Sequence, residues 1–257
     1  MSEGRQSSDS LPSADDMRDV LDMHLSRHIG DYETIFSDDD GWAGDSEEGG
    51  PPVDILVIHP EGERQFAYIC SFGCSFQALR NKMEGGGEFA SPSVEFVLAA
   101  KQNSDETENR KSLNLAANIV RQFAKMAHLN QVDLSPGVTV MFSDEPSPLF
   151  EGLDFTAFAF IQPRIPADRF ENLSIQIGDQ TTQINFISPV PVFSDELNIS
   201  KSDGPDALAH ALETGGVTEM IDFSRASVVQ PETKEETIQK TGFFSKLAGM
   251  FAKKVRT

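Results

Sequence analysis

Seven short runs of β-branched, aromatic and other apolar residues follow one another along the chain, at 53–58, 66–71, 93–99, 138–142, 155–161, 173–177 and 181–187. Each has the length of a strand rather than of a helix, and turn-forming residues punctuate the gaps. The first two are separated by the turn PEGER, and the last two flank Gly178-Asp179, so both pairs predict hairpins. Between the third and fourth runs lies the strongest helical pattern. Ser112 reads as its cap, with Leu113, Ala116, Ala117, Val120, Phe123, Ala124 and Ala127 on its buried face. A first helix is expected from Ser13, with Met17, Val20, Leu21, His24, Leu25 and His28 on one stripe and Gly30 as its stop. A short helix from Pro205 to Leu212 precedes Gly215-Gly216, and MIDFS (220–224) reads as a final strand-like end. Strands mixed with helices, without regular βαβ alternation, predict an α+β fold: a mixed, largely antiparallel sheet with packed helices in a single domain.

Charge divides the chain differently. The 257 residues carry 41 acids and 21 Lys/Arg, a net charge of −20. That balance argues against nucleic acid as a partner, because phosphate binding needs cationic counter-charge. The first 50 residues hold 14 acids and 3 bases (−11), residues 240–257 hold 5 bases and no acid (+5), and the body between them stands at −14. The expected division is an acidic, disordered lead (1–16), a domain (17–229), and a linker with a basic amphipathic tail (230–257). Residues 37–52 read as a charged Gly/Pro loop around Trp42. No apolar run approaches the roughly 18 residues of a membrane span, and the opening residues lack a secretory signal, so the default compartment is the cytoplasm.

The residues able to carry chemistry each have a plainer reading. His24 and His28 have the i, i+4 spacing of a shared zinc ligand pair, yet both lie on the apolar stripe with no Cys or third His nearby, which favours packing. Cys70 and Cys74 are the only cysteines and form no CxxC motif; both are expected to be reduced. The triple glycine 85–87 is flanked by Glu84 and Glu88 and lacks the Lys of a phosphate loop. Asp38–Asp40 with Asp45 lacks the spacing of a calcium loop and reads as solvated charge. No catalytic set, metal or cofactor is expected. In the tail, Phe243, Phe244, Leu247, Met250, Phe251 and Val255 fall on one helical face, with Lys246, Lys253, Lys254 and Arg256 off it. Such a segment suits its own acidic body, a membrane surface or another protein.

The order of segments resembles the Suppressor of fused-like domain family, in its bacterial single-domain form. The resemblance rests on HLSRHIGDYETIF (24–36) and VDILVIHPEGERQFAYICSFGCS (53–75), with His28-Ile29-Gly30, Asp54, Pro60, Arg64, Gly73 and Ser75 at the motif positions. Glu95 matches the family's Glu-leading strand, Pro191 and Glu196 its late strand, and Asp222 and Arg225 its closing Asp-x-x-Arg. It spans roughly 17–229, and departs where Ala99-Ala100 stands in place of the usual Leu-Pro. The resemblance implies an α+β, non-enzymatic interaction domain. Eukaryotic members restrain transcription factors through an edge-strand peptide contact, and bacterial members are proposed as immunity proteins that neutralise toxins. The implied partner is therefore a protein, a basic toxin being one class that an acidic surface would steer inward. A membrane-peripheral adaptor using the tail is the first alternative. A cryptic enzyme is the second, with Glu95, Cys70 and His59 its suspects. Gly30 and Gly73 are expected at positive φ, and Arg64 is expected to pair with Asp54, Glu95 or Glu196.

Overall fold

The computed structural model describes residues 14–36, 53–76, 93–102, 104–129, 134–149, 153–165, 170–177 and 180–229. Residues 1–13 of the acidic lead, the 37–52 loop, the triple glycine and the basic tail lie outside them, while residues 14–16 open the first helix. In chain order come α1 (Ala14–His28), β1 (Glu33–Phe36), β2 (Asp54–Ile58), β3 (Phe66–Phe72), β4 (Val94–Lys101) and α2 (Glu106–Leu129). There follow β5 (Thr139–Val140), β6 (Phe155–Ile161), β7 (Asn172–Ile177), β8 (Gln180–Phe193), α3 (Ser194–Asp203) and α4 (Pro205–Thr214). All eight strands form one sheet in the order β1-β2-β3-β4-β8-β6-β5, with β7 also on β8. Among the described strands only the β4–β8 pairing is parallel. This is the expected α+β architecture with a mixed, largely antiparallel sheet.

Side-chain alternation explains how the layers assemble. Ile55 and Val57 of β2, Ala67 and Ile69 of β3, Phe96 and Leu98 of β4, and Phe158 and Phe160 of β6 pack against Ala116, Val120, Phe123 and Ala127 of α2. The opposite parity faces the other way. Leu56, Tyr68, Cys70, Val97 and Phe186 meet Met17, Leu21 and Leu25 of α1 and Ile29 just after it. Farther along the same face, Ala157, Ala159, Val190 and Val192 meet Leu197 of α3 and Leu208 and Leu212 of α4. Helices thus cover both faces, which is why β2 and β6 are buried at every position and read as continuous apolar runs.

β8 organises the centre. The Asn185 amide donates to Ser93 O on the β4 side, whereas the Phe186 amide donates to Glu171 O on the β7 side. By alternation, the nitrogens of Pro189 and Pro191 face the β4 side and have no hydrogen to give. The parallel ladder runs from Val94↔Asn185 to Phe96↔Ile187 and stops there. β4 then takes a different neighbour: the Ala99 amide donates to Glu219 O and the Ile221 amide donates to Ala99 O, bridging Ala99 to Met220. The segment 217–228 therefore fills the wedge where β4 and β8 part. MIDFS forms this single bridge rather than a strand.

One more expectation needs correction. α2 begins at Glu106, not beside Ser112; the Asp105 carboxylate accepts the Thr107 and Glu108 amides and is the cap. Its polar first turns carry their own ion pairs, Glu106–Arg110 and Glu108–Lys111, so helix continues where the apolar pattern is silent. α3 and β1 had no sequence signal of their own. No helix among the described residues is long and apolar enough to cross a membrane.

Candidate functional site

The twelve motif positions fall into three clusters. The first surrounds Glu95, fully buried on β4. Ser71 Oγ donates to its Oε2 at 2.5 Å, while the Gly73 amide, the Ser75 amide and Ser75 Oγ donate to Oε1 at 3.1, 2.9 and 2.7 Å. Gly73 has φ +104°, which turns the chain so that both amides point inward. Four donors around one carboxylate close the loop after β3. All four are neutral, so burial outweighs them and holds the Glu95 carboxyl above its ordinary value. The neighbouring Cys70 and Cys74 thiols are buried and free, and desolvation aided by Glu95 pushes both well up.

The second cluster joins Glu196, Arg225 and Pro191. Glu196, fully buried in the first turn of α3, accepts Arg225 Nη1 at 2.6 Å on Oε1 and Arg225 Nη2 at 2.7 Å on Oε2. It also accepts the Phe193 amide at 2.9 Å and the Val228 amide at 2.8 Å. Arg225 donates in addition to Pro191 O at 2.8 Å, and its guanidinium lies over the rings of Phe155 and Phe193. Pro191 O faces the wedge for the same reason that its nitrogen does. This fork–fork pair therefore ties the 217–228 segment to β8 and to α3. Asp222 sits beside it on the surface. There it accepts the Ser224 amide and hydroxyl, which hold its carboxyl below the usual range.

The third cluster holds α1 to the first hairpin. Arg64 does not pair with a carboxylate. Its Nη1 donates to Ile29 O at 2.6 Å and its Nη2 to His59 O at 2.5 Å, over the Tyr68 ring. The three expected partners are taken: Asp54 by Arg18 at 2.5 Å, Glu196 by Arg225 and Glu95 by the serine loop. Gly30 sits at φ +112° after the last turn of α1, and Pro60 opens the exposed β2–β3 turn. The His24 imidazole bonds Phe170 O through Nε2 at 2.9 Å, while His28 lies beside it at 4.6 Å between ring centroids. His24 is buried, and that desolvation pushes its pKa down. Among the described residues no group of three or more metal-ligating side chains gathers here.

The surface offers a different kind of site. β5 is an outer strand. The Phe160 amide donates to Val138 O, so alternation turns the main-chain groups of Thr139 and Met141 outward. Phe142 is 59% exposed, its ring at about 6 Å from those of Phe123 and Phe158. Exposed Asp144 and Glu145 follow directly. Phe142 and the glycine that positions this strand were absent from the sequence reading of candidate sites. A Cβ on Gly137 would come within 1.9 Å of Pro205 O, so α4 and the β5 edge touch backbone to backbone.

The sequence model of the family described as Suppressor of fused protein (SUFU) matches residues 49–226. No curated protein matches the sequence. Solved structures similar to the chain include the following three. A protein described as a suppressor of fused homologue from Neisseria gonorrhoeae is 16% identical over 85% of this chain and 100% of its own, with a TM-score of 0.49. The Sufu–Fu complex gives 14% identity, 84% and 92% coverage, and a TM-score of 0.52. Drosophila Suppressor of Fused gives 16% identity and a TM-score of 0.51; the match covers 82% of this chain but half of that protein.

Proposed function

The chain belongs to the Suppressor of fused protein family, and on that premise we propose that it is a non-enzymatic module that binds and sequesters a partner protein. The observation that carries this reading is the direction in which the motif's charged groups point. Glu95, Glu196, Arg225, Arg64 and Asp54 bond the chain's own backbone and side chains. They build a scaffold, and recognition belongs to what the scaffold displays. The enzyme suspects do not converge: Glu95 and Cys70 are fully buried, whereas His59 is exposed and bonded to Glu33. The family member solved as the Sufu–Fu complex supports a protein as the ligand class.

The β5 edge is the surface we assign to the partner. Outward main-chain groups on Thr139 and Met141, an exposed ring at Phe142 and carboxylates at Asp144 and Glu145 suit an extended, basic segment that adds a strand. The −14 body would speed its approach. A basic toxin neutralised by an immunity protein is one such partner. The domain responsible is 17–229, with 1–16 and 230–257 as appendages.

The test is affinity capture of a stoichiometric partner from source cells, followed by titration against Thr139→Pro. Proline removes an outward amide without touching the β5–β6 ladder. Binding at least tenfold weaker in Thr139→Pro, and weaker at high salt, is the expected result. No saturable partner, or one indifferent to Thr139→Pro, refutes the reading.

A further inference from the structure

The tail lies beyond the family match, which ends at residue 226. On the described surface, a groove of about 880 Å³ lies between the first half of α2 and the 220–224 segment. Its floor presents Phe66, Leu115, Met220 and Phe223, each half-buried, beside Ile221. Four large apolar side chains at one concave place form a patch that a solitary soluble domain normally keeps small. We propose that residues 240–257 occupy this groove on their own chain, with Phe243, Phe244, Leu247 and Phe251 on its floor.

Reach, size and charge all favour this occupant. The Arg225–Glu196 pair pins the segment from which the chain departs at Val229, only five residues beyond Ser224 on the groove's rim. The ten residues 230–239 span about 17–19 Å as a flexible coil and at most about 36 Å extended, enough to return the tail to the groove. Residues 243–255, as a helix, would be about 20 Å long. The tail brings +5 to a body of −14. At the groove, Lys111 is paired with Glu108 and Lys101 is balanced by Asp222, so the lining itself is neutral and the attraction comes from the body as a whole. A linker this short supplies an effective concentration near the millimolar range, so even a millimolar intrinsic affinity fills the groove about half the time. A membrane surface has no such advantage, because an anionic leaflet repels the acidic body that the tail must bring with it.

A nitroxide attached through Ser245→Cys in the full-length chain tests this directly, since Cys70 and Cys74 are buried and escape the label. The expected result is selective broadening of the Leu115, Met220 and Phe223 signals, independent of protein concentration and abolished by Phe244→Asp with Leu247→Asp. Those substitutions lie in the tail and spare the fold of the body. Broadening that is absent, or spread evenly over the surface, overturns the proposal. So does broadening that grows with concentration, which makes a second copy the occupant. The same holds if phosphatidylglycerol-containing vesicles at 0.15 M salt relieve the broadening and sediment the chain; the tail is then a membrane anchor.

Discussion

Replacing Arg225 with alanine removes one side chain that serves three elements at once. The lost bonds are two to Glu196 at 2.6 and 2.7 Å, one to Pro191 O at 2.8 Å and one to Ala226 O at 3.0 Å. The Phe155 and Phe193 rings lose their cationic neighbour as well. Glu196 would remain fully buried with only the Phe193 and Val228 amides to hold its charge. Removing one partner of a buried pair costs about 3–5 kcal/mol. The Arg225 side chain is 13% exposed, so water can enter the vacated space, which places the expected cost near the lower end, about 3 kcal/mol. For a chain of this size that lowers the melting temperature by about 6–12 °C. Urea unfolding followed by circular dichroism measures it, and amide exchange should rise first across 217–229. The double replacement Arg225→Met with Glu196→Met should recover part of the loss, because an apolar pair leaves no buried charge although the Phe193 and Val228 amides lose their acceptor. Arg225→Ala within about 1 kcal/mol of the parent would refute the clamp.

Three other perturbations probe the scaffold. Glu95→Gln places an amide donor among four donors and should cost about 1–3 kcal/mol at neutral pH. Because burial raises the folded-state carboxyl, the stabilisation due to its protonated form is complete below the ordinary value near 4.5 and is lost as pH rises through the folded value. The stability advantage of the parent over Glu95→Gln should thus shrink as unfolding is repeated from pH 4 upward; an advantage that grows contradicts the assignment. Gly137→Ala must move two backbones apart, given the 1.9 Å approach to Pro205 O, and should cost more than about 3 kcal/mol; a near-normal melt would disprove that contact. Cys70 and Cys74, buried with raised thiols, should react with Ellman's reagent only after unfolding in urea, and rapid native-state labelling would show the loop to be open.

Much of the fold was legible because burial on both faces writes strands as unbroken apolar runs. β2, β3, β4 and β6 each fall within two residues of the run that predicts them. Features set by hydrogen bonding rather than by hydrophobicity were harder to read. The first turns of α2 are polar and carried by a cap and ion pairs, so periodicity placed its start seven residues late. β8 continues to Phe193 through two prolines, which normally argue against a central strand. It is tolerated because those nitrogens face the wedge. The motif positions themselves were legible, but their pairing was not. Arg64 was expected on a carboxylate, and which acid meets which base depends on the crossing of strands far apart in sequence. Gly137 and Phe142 lay outside the motif, and only the three-dimensional arrangement distinguishes them.

On the proposed assignment, the motif residues hold the scaffold while the β5 edge holds the partner. Calorimetric titration of the captured partner against two variants tests it. Phe142→Ala should weaken binding at least tenfold with an unchanged melting temperature, whereas Arg225→Met with Glu196→Met should bind as tightly as the parent. The reverse pattern, binding lost with the clamp and indifferent to Phe142, would contradict it.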